Sequence, residues 1–417
     1  MLNAKTGERE LCYLVIVNKI ESILGYDRIE LAHIDGWTVV VGKGEFKAGD
    51  IAIYFEIDSK LPEEPPFSDS KFIISKHYKI ETQRMCKGQV YSQGLLMSIS
   101  QFGWEQKEDS VYNPVKKTFH KLNDNSRFLT KELNITYASP KDNKRKRNSF
   151  DKYKRMEQRH PKLFKHQIIQ RIMKTKVGKE ILFFLFGKKK DKKGAFLSFV
   201  KKTDEERIEN MTFLLKDKSP WIATEKIDGS STTFAIKRGR FPFSKNTIYI
   251  CSKNTIYICS RNVLFDNPNA HCYYDSNIYL EMAEKYNIKV VLNQILKDLP
   301  KEKWIYIQGE TYGANVQKRD YSTPLRDFRA FNLVTSTQGR WNTLDMRDFL
   351  IKYHIESIPV LNENYILPDT IEELRKYVDS QPSLIDGKMR EGIVFRSLDG
   401  SNSFKCISPM YLIKYHS

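Results

Sequence analysis

The sequence predicts an α+β protein with a small N-terminal β-barrel, a basic middle segment and a larger mixed C-terminal domain. Three observations predict it. The first hundred residues form short alternating apolar and polar runs separated by glycine turns. From Ala195 onward, strand-like runs interchange with short helical ones. Between the two lies a stretch dense in lysine and arginine that follows neither pattern. A chain of 417 residues is long enough for two or three such units.

In the N-terminal unit, "LCYLVIVNKIESI" and "IELAHIDGWTVVVGKG" alternate and run into "DIAIYFEID", with Asp35-Gly36, Gly42, Gly44 and Gly49-Asp50 as turn signals. "KGQVYSQGLLMSI" adds another strand pair around Gly88 and Gly94. Several short strands at about ten-residue spacing suggest a small closed barrel. An OB-type barrel is the first choice, because such barrels commonly bind nucleic acid strands. "GKGEFKAG" is not a dinucleotide fingerprint, since its glycine spacing is wrong and no helix follows. The boundaries are set at 1–125 for this unit, 126–194 for the basic linker and 195–417 for the C-terminal domain.

The net charge of +18 points to a polyanionic partner. Nearly all of it lies in residues 141–202, where 22 Lys and Arg face 5 Asp and Glu, a net of +17. Such a segment is either a solubilising connector or a phosphate-gripping insert. Within it, "RNSFDKYKRMEQRH" and the run around Ile168, Ile169, Ile172 and Met173 have helical spacing, and "GKKKDKKG" reads as a loop. "KRKR" at 144–147 also fits a nuclear-localising run, a pattern of low specificity.

In the C-terminal domain, "TDEERIENMTFLLKD" reads as a helix capped by Thr203, with Glu206 three residues on. The octapeptide "SKNTIYIC" occurs at Ser244–Cys251 and again at Ser252–Cys259. Eight is even, so a strand keeps its facing through the duplication, and the repeat reads as local lengthening without chemistry of its own.

Composition excludes several classes. No run of 18 apolar residues exists, and the N-terminus lacks an apolar signal region. The six cysteines are scattered without a Cys-x-x-Cys pair, and the eight histidines lack ligand spacing, which argues against a zinc site and for an intracellular, reducing compartment such as cytoplasm or nucleus.

The chemistry is carried by "TEKIDGSST". Lys226 follows the strand-like "PWIAT" and stands two residues before Asp228-Gly229. Alone, this is a hairpin turn with solvated charges. Further groups stand on strand-like runs: Glu310 at the end of one in "IYIQGETYG", Phe331 inside "FRAFNLV", Glu391 at the mouth of "REGIVFR" and Lys405 on the last run, "SFKCISPMYLIKYH". Together they suit attack by an amine on a nucleotide α-phosphorus. A lysine of pKa ~10.4 is neutral in only about one molecule in 2,500 at pH 7. A second cation, from Lys405 or a divalent metal, and desolvation would lower that pKa. A metal and a lysine would also absorb the charge that builds on the phosphoryl oxygens. Asp228, Glu310 and Glu391 suit a Mg²⁺ that keeps most of its waters, and Phe331 offers a face to a purine.

The ordered set "EKIDG", "SRN", "GETYG", "FRAFNL", "EGIVFR" and "SFK" resembles the motifs of the covalent nucleotidyltransferase superfamily of DNA ligases, RNA ligases and mRNA capping enzymes. Within it the chain is most similar to ATP-dependent RNA ligases of the Deinococcus/Naegleria type, over about residues 10–100 and 195–417. That resemblance implies an OB domain first and an ATP-grasp-like domain of antiparallel sheets with flanking helices last. It implies ATP and Mg²⁺ or Mn²⁺ as cofactors and RNA as partner, either nicked duplex or free ends, in RNA repair by a monomer without membrane attachment. Lys226 would become lysyl-AMP. Asp228, Glu310 and Glu391 would hold the metal largely through water. Glu225 would lie beside the purine edge and Gly229 beside the nucleotide. Phe331 would stack on adenine, and Arg261 would contact phosphate or the 3′-OH end. Lys405 would grip the α-phosphate, with Arg207 on the triphosphate and Lys414 in support.

The pattern departs from relatives at Ile407, where many carry a second lysine, and at Ser231, where DNA ligases and capping enzymes usually have arginine. Only twelve residues follow Lys405, too few for the downstream OB domain of those two classes. The alternatives are another enzyme of the superfamily, or an RNA-binding protein that kept the fold without catalysis.

Overall fold

The computed structural model describes residues 1–3, 8–108, 110–138, 166–173, 197–201, 204–239, 254–265, 276–319 and 321–416, together with 175, 178, 179, 181, 182, 272 and 274. Most of the basic segment, including "KRKR" and "GKKKDKKG", lies outside these residues, as does the first octapeptide copy. Within the described part, Gln167–Ile172 is helical, at the place the isoleucine spacing marked. The second octapeptide copy contributes the strand Thr255–Ser260, whose Phe265 end folds back beside Ile258.

In the N-terminal unit, strand Cys12–Ile16 pairs antiparallel with Ile51–Phe55, which pairs with Leu95–Ser98. Lys19–Ile23, Tyr26–Ile34 and Trp37–Gly42 form a second meander. Alternation along the central pair sends Tyr13, Val15, Ala52 and Tyr54 into one core with Trp37, Val39 and Val41. Cys12, Leu14, Ile53 and Phe55 enter a second core with Phe67, Trp104 and Val111. Both faces are covered, which is why "LCYLVI" reads as an almost unbroken apolar run. The second core continues to Leu129 and Ile135.

The C-terminal domain stacks two five-stranded sheets. One runs Glu206–Arg207, Ser403–Ile407, Gly392–Ser397, Pro220–Lys226, Val360–Ile366. The other runs Thr255–Ser260, Ser230–Lys237, Trp304–Gly313, Arg326–Thr335, Gly339–Arg340. Helices Ile278–Lys285, Ile288–Asp298 and Thr343–Leu350 cover the second sheet through Met282, Leu292, Ile295, Met346 and Leu350. Helix Ile371–Ser380 covers the first through Leu374 and Val378.

The expected helix at "TDEERIEN" does not form. Glu206–Arg207 is a short edge strand, parallel to Phe404–Lys405, followed by a 3₁₀ turn at Ile208–Asn210. Thr203 lies outside the described residues. The Glu206 carboxylate accepts instead from Leu2 N, Arg207 N and Asn210 Nδ2. Sheet pairing and contacts with the barrel outweigh the local capping signal, which is worth only about 1 kcal/mol.

That turn contacts the barrel directly. Asn210 Oδ1 accepts from Trp37 Nε1 at 2.7 Å, and its Nδ2 donates to Glu56 at 3.0 Å. Gly36 N donates to Glu209 O at 2.9 Å, where any Cβ on Gly36 would meet the Glu209 backbone at 2.6 Å. Ile407 and Leu412 from the C-terminal domain are buried in the barrel core with Tyr13 and Trp37. The departure at position 407 therefore has a physical reason: a lysine there would be buried among apolar side chains.

Candidate active site

Lys226 is the last residue of a strand buried from Trp221 to Glu225, flanked antiparallel by Gly392–Ser397 and Val360–Ile366. Register places Lys226 opposite Gly392 and so beside Glu391. Its Nζ lies 2.7 Å from both Glu391 oxygens. The chain then crosses to the second sheet through Asp228-Gly229. A Cβ on Gly229 would lie 2.4 Å from Thr311 O and 2.8 Å from Glu310 Cγ, so only glycine lets this crossing press against the Glu310 strand. Ser231 pairs with Glu310 across the ladder, bringing the third carboxylate to the same point.

Asp228 is held from three directions. Its N–H donates to Tyr321 Oη at 2.6 Å, its Oδ2 accepts from Tyr411 Oη at 2.9 Å, and His416 Nε2 lies 3.3 Å from that oxygen. Burial would raise the Asp228 carboxyl, but His416 and Lys226 hold it below its ordinary value. Burial pushes the Glu310 carboxyl up to about 8, with Glu391 and Asp228 adding to the rise against Lys226. Burial disfavours the Lys226 ammonium, yet Glu391, Glu310 and Asp228 outweigh it and raise this amine.

The amine was expected to be depressed by neighbouring cations; the surrounding acids instead raise it. Among the described residues no three His, Cys, Asp or Glu side chains converge as a direct ligand cluster. The donor set nevertheless fits a cation bound through its water shell. Three carboxylates surround one amine, and burial raises one of them, Glu310, even with Lys226 beside it, so a cation there would favour its ionised form.

Lys405 lies in the neighbouring cluster. Its Nζ is 2.7 Å from Asp204 Oδ1, and Arg261 Nη2 is 2.6 Å from Asp204 Oδ2. Burial lowers the Lys405 pKa, helped by Arg207, Arg9 and Lys226 against Asp204. Arg207 pairs with Lys405 along the strands and is buried over the Trp37 ring at 5.7 Å, and its Nε and Nη1 find no hydrogen-bond partner among the described residues. Phe331 is half-buried with Ile227, Tyr312 and Tyr321. Glu225 is buried and accepts from Ser383 Oγ and Leu384 N, so it anchors the 381–390 loop. Lys414 is exposed over its own helix's Tyr415 ring at 5.0 Å, and no contact brings it to Lys405. Sequence reasoning missed Asp204, Tyr321, Tyr411 and His416. Asp204 was hidden in the segment read as a helix, and the two tyrosines carry no pattern that separates them from core.

The comparisons with known proteins meet this geometry. A family model described as RNA ligase matches residues 219–415, and one for an OB-fold domain matches residues 11–99. Residues 219–415 thus carry the RNA ligase family match. Among curated protein sequences none matches. The solved structure of Naegleria gruberi RNA ligase with pyrophosphate is 25% identical, with a TM-score of 0.67 over 98% of this chain and 99% of that chain. A variant of that ligase with ATP and Mn is 24% identical, with a TM-score of 0.67 over 98% of this chain and 100% of the other. A further variant with AMP and Mn is 24% identical at 0.67, over 98% and 99%. The expected order, OB domain first and RNA ligase domain last, is the order found.

Proposed function

We propose that this RNA ligase uses ATP to join a 3′-OH end to a 5′-phosphate end of RNA, as at a nick in a duplex, with Lys226 as the nucleophile. The observation that carries the reading is Lys226 Nζ bound to Glu391 at the end of a buried strand, with Asp228 and Glu310 beside it, in a chain of this family. Lys226 Nζ, once deprotonated, attacks the α-phosphorus of ATP. The N–P bond forms, the bond to the β-phosphate oxygen breaks, and pyrophosphate leaves. The bound 5′-phosphate oxygen then displaces Lys226 from AMP, and the amine regains a proton. Finally the 3′-OH attacks the 5′-phosphorus, loses its proton, and AMP departs.

Asp228, Glu310 and Glu391 would hold a hydrated Mg²⁺ or Mn²⁺, which neutralises charge on the phosphoryl oxygens. Glu391 holds Lys226 in place and accepts its proton. Lys405, Arg261 and Arg207 supply positive charge to the phosphates, displacing Asp204 as the partner of the first two. Phe331 offers its ring to adenine. The Naegleria structures with ATP or AMP and Mn support this choice of nucleotide and metal. Incubation with α-labelled ATP and Mn²⁺ is expected to label the protein covalently, and Lys226→Ala is expected to remove the label. Equal labelling of both proteins, or label from GTP alone, overturns the reading.

A further inference from the structure

Arg319 stands outside every motif, on the loop that joins the Glu310 strand to the Phe331 strand, yet it is among the most buried cations of the domain at 3% exposure. Its Nη2 meets Asp386 Oδ1 at 2.5 Å, and both side chains are 3% exposed. Its Nη1 donates to Met389 O, two residues before Glu391. Its guanidinium lies 4.1 Å from the Tyr321 ring centroid and 5.7 Å from that of Tyr411. These are the two tyrosines whose hydroxyls hold the Asp228 N–H and carboxylate. The loop itself is costly to form. Asn315, Gln317, Tyr321 and Ser322 all have φ between 51° and 58°, a region non-glycine residues avoid. Such a loop persists only where other contacts over-determine it, and the buried ion pair with Asp386 does so.

From this juxtaposition we infer that Arg319, locked by Asp386, is a positioning residue that sets the spacing of Asp228 and Glu391 through Tyr321, Tyr411 and the Met389 carbonyl. The inference rests on the reading above, in which those carboxylates hold the metal. Arg319 meets Asp386, the Met389 carbonyl and the two tyrosine rings. Its planar fork reaches one loop by hydrogen bonds while its face covers two rings, a combination an ammonium cannot supply. Groups that orient metal-holding carboxylates commonly change metal affinity about 10–100-fold when altered.

The test compares wild type, Arg319→Lys, Tyr411→Phe and Asp228→Ala. Mn²⁺ binding is followed by electron paramagnetic resonance in the presence of AMP, and adenylylation is measured against Mn²⁺ concentration. Arg319→Lys and Tyr411→Phe are expected to weaken Mn²⁺ binding by about 10-fold or more, with an equal rise in half-saturating Mn²⁺ and little change in rate at saturation. A purely structural role would lower the active fraction and leave the Mn²⁺ dependence unmoved, and that result overturns the inference. Tyr411→Phe removes one oxygen and decides the matter alone should Arg319→Lys not fold. Asp228→Ala separates the two readings. If it binds Mn²⁺ like wild type, the metal assignment itself fails. If it loses Mn²⁺ while the other two variants keep it, only the role of Arg319 fails.

Discussion

Two half-buried lysines, Lys226 and Lys405, each face one carboxylate at 2.7 Å, yet their surroundings drive them in opposite directions. Around Lys226 burial is overcome by Glu391, Glu310 and Asp228, and the amine is raised. Around Lys405 burial is reinforced by Arg207, Arg9 and Lys226, and Asp204 does not compensate, so the amine is lowered. The contact distance is the same; the second neighbours decide. A region with excess acid is ready for a cation, and a region with excess base is ready for an anion. On the proposed reading, a nucleoside triphosphate with its metal carries both charges and would use the two regions side by side. On the same reading, phosphate and metal beside Lys226 would offset the carboxylates that raise its amine.

The sharpest way to break this contrast is Lys405→Ala. If the cation-rich region faces the transferring phosphate, adenylylation should fall by about 10²–10³-fold, measured at saturating ATP. A fall of less than a few fold would remove Lys405 from the phosphate side. Ile407→Lys, two residues on, tests the departure from the relatives' pattern. Placing an ammonium in the barrel core should cost about 3 kcal/mol or more in urea unfolding, and a stable, more active variant would contradict the packing reason given for Ile407.

Asp204→Asn should weaken the Lys405 and Arg261 contacts, costing about 1–3 kcal/mol of stability, while lowering the ATP concentration needed for half-maximal adenylylation. A raised requirement for ATP would mean that Asp204 orients these cations instead of neutralising them.

The smallest expected effect is on pH dependence without metal. The Glu310 pKa in the folded protein, about 8, lies above its ordinary value, so the folded state binds more protons than the unfolded chain between those limits. Stability from this group is fully present at acid pH and is lost as pH rises toward 8. The wild-type thermal midpoint should therefore drop over that range in chelator, and Glu310→Gln should flatten the drop. Mn²⁺ should also reduce it, since a cation restores the ionised carboxylate. A wild-type midpoint that is flat, or rises, over that range would place Glu310 in a more solvated setting.

The sequence by itself determined the two-domain order, the strand ending at Lys226 and which acids and bases stand on strand-like runs, although Glu310, expected at a strand end, lies inside Trp304–Gly313. Those features are local: alternation, turn glycines and motif spacing survive without knowledge of partners. Only the tertiary structure decided that Glu206–Arg207, within "TDEERIEN", is an edge strand, because its fate depends on Phe404–Lys405 and on a barrel more than a hundred residues upstream. It alone decided that Ile407 belongs to the barrel core, that Glu225 anchors a loop, and that Lys226 is raised instead of lowered. Each of these outcomes depends on which groups meet across sheets and domains, and a pKa or a buried contact is a property of that meeting, not of the residue that carries it.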